Sequence, residues 1–178
     1  KFGFKTNFRF AFGLFEMKRV LVAGANGFIG SKLVEELVKR DYEVCLLNKT
    51  PSKFKFIKSN NQFLCDLSEL NHHLGRFDAV VNCASVLNGG KDWYLYSKNN
   101  CSSVQSLIEN VECNYFIHIS TCSIFSKESK YHSQPSPDSL YGLSKYVGEK
   151  IVEFNFRKFV SSLIIRYPIV IGKPKKSN

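Results

Sequence analysis

Apolar runs and helically spaced apolar residues alternate along the chain. Continuous apolar runs predict strands at residues 18–24, 42–47, 62–65, 79–82, 115–119 and 161–165. Apolar residues at helical spacing predict helices at 28–39, 93–109 and 140–156. Ser68 is positioned to cap a further, brief helix.

The order of these elements indicates the fold class. Strands that are apolar throughout are typical of a parallel sheet with both faces covered. Strands and helices in alternation, joined by right-handed crossovers, predict an α/β fold. We therefore expect a Rossmann-type, doubly wound parallel sheet of about six strands with helices on both faces. Its binding site should lie at the carboxyl ends of the strands.

Length and cysteine spacing narrow the class of protein. A chain of 178 residues is long enough for one domain with its own core. No apolar run approaches the roughly 20 residues that a membrane-spanning helix needs. The six cysteines are not spaced as in zinc or redox motifs, so no metal site is expected. Scattered thiols favour a reduced, cytoplasmic protein.

The chain is basic, with a formal net charge of +10. The charge fits a solvated, lysine-rich surface, and it also fits an anionic ligand. No signature of an RNA-recognition, KH or zinc-finger module is present, so a specific nucleic-acid partner is not expected.

The first residues differ from the rest. Residues 1–16 contain six Phe and three basic residues, and Met17 is the only methionine. We expect a non-core extension at 1–16 and the folded domain at 17–178. The extension is interpreted as upstream sequence before a native start at Met17, with a targeting leader or an edge strand as alternatives.

Three glycines follow the first predicted strand and open the first predicted helix. Gly24 suits a tight turn, Gly27 allows close approach of a pyrophosphate, and Gly30 allows the helix to pack on the strand. This strand–turn–helix context predicts a dinucleotide-binding loop. The loop residues expected at the cofactor are Gly24, Asn26, Gly27, Phe28, Ile29 and Gly30.

The end of the second predicted strand bears on the choice of cofactor. An acidic residue there would bind the ribose 2′-hydroxyl of NAD, but this chain has Asn48 followed by Lys49 and, further on, Lys53. Both lysines could pair with a 2′-phosphate, which favours NADP(H) over NAD(H). The alternative is an ordinary solvated basic loop.

Tyr141 and Lys145 are four residues apart in the last predicted helix and so share one face. A neighbouring ammonium favours the phenolate and should lower the pKa of Tyr141. The pair therefore predicts an acid–base site.

Two longer strings carry a family resemblance. VLVAGANGFIG at 20–30 and YGLSKYVGEK at 141–150 resemble the extended short-chain dehydrogenase/reductase superfamily, the NAD-dependent epimerase/dehydratase group. The dTDP-4-dehydrorhamnose reductase branch looks most similar. The resemblance implies an NAD(P)-dependent oxidoreductase, epimerase or dehydratase that acts on a nucleotide sugar by hydride transfer.

The same resemblance implies roles for further residues. Thr121 would supply the catalytic hydroxyl beside Tyr141, and Lys145 would also hold the nicotinamide ribose. Asn100 matches the helix asparagine of the group, with Asn99 adjacent; His118 is interpreted as structural. The other residues that would line the cofactor are Asp66, Leu67, Cys83, Ala84 and Ser85.

Members of the group build a substrate lobe from a C-terminal part that this sequence lacks. The alternative to an enzyme is therefore a catalytically incomplete NAD(P)-binding module or an NADP-sensing regulator. The sequence predicts no oligomeric state.

Overall fold

A computed structural model of the chain describes residues 18–126 and 134–168, which form one six-stranded parallel sheet. The strands are β1 (Arg19–Ala23), β2 (Glu43–Asn48), β3 (Gln62–Leu64), β4 (Arg76–Asn82), β5 (Glu112–Thr121) and β6 (Ser161–Tyr167). Their order is β3-β2-β1-β4-β5-β6. The expected doubly wound topology is confirmed, and its switch point lies between β1 and β4. The predicted extension at 1–16 lies outside the described residues.

Helices flank the sheet on both faces. They are α1 (Phe28–Lys39), α2 (Trp93–Tyr96), α3 (Ser103–Glu109) and α4 (Leu140–Phe154). The helix predicted at 93–109 is one continuous segment, but a π-helical stretch at Ser97–Ser102 separates α2 from α3. Apolar spacing does not reveal this wider turn, against which α4 packs closely.

Several predicted boundaries shift. β4 and β5 begin three residues earlier than their apolar runs, since partly buried polar residues continue both strands. The prediction that Ser68 caps a brief helix is wrong. The 3-10 turn Leu67–Glu69 is capped by Asp66, whose side chain accepts a hydrogen bond from the Ser68 amide.

The sheet separates two apolar layers. One layer lies between the sheet and α3 and α4, with Leu21, Phe77 and Phe116 at its centre. The other lies between β1, β2, β4 and α1, with Val22 and Val34 fully buried. These layers hold the carboxyl ends of the strands in fixed positions, and the polar residues discussed next lie at those ends.

The α1 side of β5 and β6 is only partly covered. In parallel register, Ile117 pairs with Leu163 and Thr121 with Tyr167. Leu163 is 51% exposed and Tyr167 39% exposed. This apolar surface, which we call the β5–β6 face, is the largest departure from a fully covered sheet in the described part of the chain.

Within 18–126 and 134–168, no helix is long and apolar enough to cross a membrane. No cluster of three or more potential metal ligands was found in the same ranges.

Candidate functional site

The glycine loop between β1 and α1 is pressed against the turn that follows β4. Gly24 has φ +75°, and its amide donates to the Leu47 carbonyl at 2.8 Å. A Cβ at Gly24 would lie 2.8 Å from the Cα of Ala84. Only glycine satisfies both the left-handed backbone and this close approach.

A groove of about 280 Å³ opens at the carboxyl ends of the strands. Its lining includes most of the predicted cofactor residues: Gly24, Asn26, Gly27, Asn48, Lys49, Asp66, Leu67, Cys83, Ala84 and Ser85. Val86, Asn99 and Ser103 also line it, and they were not among the predicted residues. The groove crosses the switch point, where this class of sheet binds its ligands.

Six predicted cofactor residues lie outside this lining, and two of them, Tyr141 and Lys145, are described with the end of β5 below. Phe28 is 41% exposed in the first turn of α1, followed by half-buried Ile29. Gly30 is buried beneath the loop, which allows α1 to pack close to β1. Lys53 is exposed, and its ammonium donates to the Asn26 carbonyl at 3.4 Å.

The first turn of α1 fits a phosphate group. Gly27 is the N-cap and supplies no side-chain hydrogen bond to the helix. Amide groups at such a helix N-terminus are available to an anion, and the helix dipole favours negative charge there. Together with the adjacent groove, this cradle fits the pyrophosphate of a dinucleotide.

The lysines after β2 were expected to be available to a 2′-phosphate, but both make contacts within the protein. Asn48 Oδ1 accepts a hydrogen bond from the Asn26 amide at 2.8 Å and so fastens the glycine loop to β2. Lys49 pairs with Asp66 at 2.8 Å. Burial opposes ionisation of Asp66, but the hydrogen bonds from Lys49 and Ser68 outweigh it and lower its pKa to about 2.

Thr121 and Tyr141 meet at the end of β5. The side chains of Thr121 and Tyr141 interact there, and the Thr121 hydroxyl accepts a hydrogen bond from the Ser123 amide at 3.1 Å. Thr121 is buried and Tyr141 half-buried. The Tyr96 ring packs beside the Tyr141 ring, with centroids 6.2 Å apart. The structure thus brings together the two predicted catalytic hydroxyls.

Gly142 brings α4 to this position. A Cβ at Gly142 would lie 2.0 Å from the carbonyl oxygen of Ser123. The helix can therefore approach the end of β5 only with glycine here. This contact is the structural reason for glycine directly after Tyr141.

Lys145 is buried one turn below Tyr141. Its ammonium donates to the Ile119 carbonyl at 2.7 Å and lies 3.5 Å from Nε2 of His118. Burial lowers the pKa of Lys145 to about 8.

The expectation that Lys145 lowers the pKa of Tyr141 is not met in this structure. Burial raises the pKa of Tyr141, and the hydrogen bond with Thr121 offsets the rise only in part. The Lys145 ammonium points to the Ile119 carbonyl on β5 rather than to the phenol.

Asn100 is buried in the π-helical stretch and holds two other segments. Its side-chain oxygen accepts from the Val86 amide at 2.7 Å, and its Nδ2 donates to the Val86 carbonyl and to the Ser144 hydroxyl. The contacts found for its side chain are thus with the turn after β4 and with α4. The close approach of Gly148, whose Cβ would lie 2.8 Å from the Asn100 carbonyl, fits the wider π turn.

A second buried polar group was missed in the sequence. Glu149 is fully buried, forms a bidentate ion pair with Arg166 and accepts a hydrogen bond from Ser120. The group ties α4 to β5 and β6. A signal was available, because Glu149 follows Lys145 by four residues and so lies on the same helix face.

Comparison with known proteins identifies the family. Residues 20–178 match the model of the NAD dependent epimerase/dehydratase family. The "Uncharacterized UDP-glucose epimerase YtcB" of Bacillus subtilis is 30% identical over 86% of this chain and 57% of its own length. The "Spore coat polysaccharide biosynthesis protein SpsK" of the same organism is also 30% identical, over 88% of this chain and 54% of its own length.

A solved structure gives the same result. UDP-glucuronic acid 4-epimerase from Bacillus cereus, in complex with NAD, is 30% identical and superposes with a TM-score of 0.69. The match covers 86% of this chain and 57% of that protein, so the chain spans little more than half the length of its relatives. From the glycine loop to the hydroxyl pair, the site lies within the matched region, and the chain belongs to the NAD dependent epimerase/dehydratase family.

Proposed function

We propose that this chain carries the dinucleotide-binding and acid–base part of an NAD(P)-dependent epimerase, dehydratase or reductase that acts on a nucleotide sugar. The observation that carries the proposal is the neighbouring pair of Thr121 and Tyr141, which lies at the same edge of the sheet as the groove. Relatives named as UDP-sugar epimerases support the substrate class.

The groove residues would hold the dinucleotide. The first turn of α1 would bind the pyrophosphate, and Asp66 and Leu67 would border the adenine. Cys83, Ala84 and Ser85 would line the path toward the nicotinamide. When bound, the cofactor supplies hydride transfer at the nicotinamide ring.

Tyr141 would move the proton that accompanies hydride transfer. Its phenol is protonated at neutral pH, since burial raises its pKa, so it can donate to a sugar oxygen. Thr121, which lies beside the phenol, would orient that oxygen. Lys145 lies one turn away, and its ammonium would favour the phenolate that forms after proton donation.

The experiment has two parts, dinucleotide binding and turnover of UDP-sugars. We expect calorimetric binding of the dinucleotide, and conversion of at least one UDP-sugar followed by chromatography of the sugar nucleotides. Tyr141→Phe should reduce turnover by about 10²–10⁴-fold with nearly unchanged dinucleotide affinity. Tyr146→Phe, half-buried on the same helix, is the matched control. Wild-type turnover by Tyr141→Phe would show that the assignment is wrong.

The second candidate is a dinucleotide-binding module without turnover. It is favoured by one observation, that the Lys145 ammonium donates to the Ile119 carbonyl rather than to the Tyr141 phenol. Binding of the dinucleotide with no conversion of any UDP-sugar would support it over the enzyme.

We propose that NADP(H) is preferred over NAD(H). The support is that no acidic residue ends β2, that Lys49 lines the groove, and that the Lys53 ammonium donates to the carbonyl of Asn26, which lines it too. The ion pair of Lys49 with Asp66 leaves Lys53 as the stronger candidate for a 2′-phosphate.

Titration with NADPH and NADH at low and high salt tests this preference. Lys53→Met should weaken NADPH binding by about tenfold and leave NADH binding unchanged, since it removes one charge-assisted bond. Lys55→Met, exposed in the same loop, is the control. Equal affinity for both cofactors at both salts would contradict the preference.

We also propose that residues 17–178 carry the fold and that the protein works in the cytoplasm. The first proposal is supported by β1 beginning at Arg19. The second is supported by six cysteines that are all free.

A further inference from the structure

Three buried side chains form a chain of contacts behind the site. Asn82 lies at the end of β4, and its Nδ2 atom is 3.3 Å from the Nδ1 atom of His118. Nε2 of His118 lies 3.5 Å from the Lys145 Nζ. Asn82 and His118 are almost completely buried, so water does not screen these contacts.

The Asn82 amide fixes which nitrogen of His118 carries the proton. Asn82 Oδ1 accepts a hydrogen bond from the Ala84 amide at 3.1 Å, so its NH₂ group faces His118 Nδ1. An NH₂ group only donates, and Nδ1 must therefore accept. A neutral imidazole that accepts at Nδ1 carries its proton on Nε2. Burial lowers the pKa of His118 well below its ordinary value, so the ring is neutral.

The proton on Nε2 then points at Lys145. A neutral amine can accept this hydrogen bond with its lone pair while donating to the Ile119 carbonyl at 2.7 Å. An ammonium has no lone pair and meets the Nε2–H as a second donor. A hydrogen bond to the neutral form disfavours the charged form.

We propose that His118 is a positioning residue that, held by Asn82 as the Nε2–H tautomer, stabilises the neutral amine of Lys145 over the ammonium.

Ionisable groups on the elements packed against Lys145 also affect its pKa, and each acts in a known direction. Glu149 on α4 favours the ammonium, but it is already paired with Arg166. Cys83, after β4, and Cys101, in the π-helical stretch, also favour the ammonium if they ionise. Burial raises the pKa of these thiols to about 12 and about 11, so both are uncharged at neutral pH. Burial of Lys145 acts in the same direction as His118 and lowers the lysine pKa.

The functional consequence rests on the proposed function. Lys145 would gain a proton readily when a polar or negative group enters the site, and its ammonium would then favour the Tyr141 phenolate. The tautomer of His118 and the titration of Lys145 do not depend on any activity. Both can be measured on the chain without cofactor or substrate.

The first test is the imidazole ¹⁵N spectrum of the wild-type chain, in which the shift of each ring nitrogen reports whether it is protonated. The His118 signals are assigned by their loss in His118→Gln. We expect Nε2 to be protonated and Nδ1 to be bare from pH 6 to pH 9. Protonated Nδ1, or titration of the ring within this range, would overturn the proposal.

The second test is the pH titration of Lys145, followed by NMR with ¹³C-labelled lysine and assigned with Lys145→Met. Asn82→Asp replaces the NH₂ donor by a carboxylate, which draws the His118 proton to Nδ1 and leaves Nε2 as an acceptor for an ammonium. We expect the Lys145 pKa to rise by about one unit or more.

The control separates the tautomer from the added charge. Asn82→Asp in the His118→Leu background keeps the carboxylate but removes the ring. The rise in the Lys145 pKa should be clearly smaller there than in the chain with His118. An equal rise in both backgrounds would show that charge alone acts and would overturn the proposal. A cofactor-binding chain without UDP-sugar turnover would contradict the proposed function but leave these titrations unchanged.

Discussion

Burial of the Lys145 side chain disfavours its positive charge. The folded chain holds the Lys145 pKa at about 8, against 10.5 for an exposed lysine. Between these values the unfolded chain binds more protons, so the free energy of unfolding should rise as the pH increases from about 8 to about 10.5. Below pH 8 the full cost of burying the ammonium is present.

Lys145→Met should therefore stabilise the fold at pH 7. We expect a gain of about 1–3 kcal/mol in urea unfolding, reduced by the lost hydrogen bond to Ile119. The gain should shrink toward pH 10. Lys150→Met, on the exposed side of α4, is the control. The difference in free energy of unfolding between this variant and the wild type should not shrink in the same way toward pH 10. A destabilised Lys145→Met at pH 7 would contradict the expectation.

Asp66 should give a pH dependence of the same sign, but in the acidic range. The pKa of Asp66 is about 2 in the folded chain, against 3.8 for an unperturbed aspartate. Between these two pH values the carboxylate is protonated in the unfolded chain but not in the folded one. Stability from Asp66 is present above about pH 4 and is lost as the pH falls toward 2. Asp66→Asn should lose this part of the acid sensitivity in urea unfolding, whereas Asp41→Asn, in the exposed turn after α1, should not. Parallel pH curves for wild type and Asp66→Asn would contradict this.

At the scale of residues, the sequence predicted which side chains line the groove better than what they contact. The glycine loop, Asn48 and Asp66 all lie where the motifs placed them. The ion pair of Lys49 with Asp66 could not be predicted, because it joins the ends of two strands distant in sequence. The contact of His118 with Lys145 is hidden for the same reason, since it depends on the register of β5 against α4.

At the scale of elements, the position of α4 depends on its close approach to the end of β5 at Gly142. Gly142→Ala would place a methyl group 2.0 Å from the Ser123 carbonyl oxygen, so the helix must shift. We expect a loss of about 1–3 kcal/mol in the free energy of unfolding. Leu143→Ala, at the next and 38% exposed position, is the control and should cost less. Unchanged unfolding of Gly142→Ala would mean that α4 is free to move.

The π-helical stretch gives the second prediction at this scale. Asn100→Ala leaves the amide and carbonyl of Val86 without their partner, which should cost about 1–3 kcal/mol. Because Val86 lines the groove, dinucleotide affinity should fall as well, measured by calorimetry. Asn99→Ala, which loses one bond to the Leu95 carbonyl, should cost less in stability. Unfolding costs that are equal for the two variants would contradict the bridging role of Asn100.

Helices and strands were predicted well where packing follows apolar periodicity, and poorly where polar bonds decide. The bounds of α1 agree with the apolar spacing at both ends. The π-helical stretch was not predictable from apolar spacing, and its contacts with Gly148 and Ser144 on α4 join residues distant in sequence.

For the whole molecule, the β5–β6 face is the exposed apolar surface with the clearest consequence. Leu163→Lys adds a charge at a position that is 51% exposed, so it should raise the protein concentration at which light scattering appears. The free energy of unfolding should change by less than about 0.5 kcal/mol. Leu64→Lys on β3, at the opposite edge of the sheet and 64% exposed, is the control and should raise this concentration less. Equal effects would mean that this face does not drive association.

The strand order also determines how the chain must fold. β1 pairs with β2 on one side, but its other partner, β4, joins through Val20 and Ala79, which are far apart in sequence. During synthesis on a ribosome, one edge of β1 therefore stays unpaired until β4 has emerged. One edge of β4 then stays unpaired until β5 has emerged. Such distant pairings slow folding relative to a helical protein of equal length, and open strand edges attract other chains. We therefore expect the nascent chain to be most prone to association at the centre of its sheet, where β1 and β4 come together.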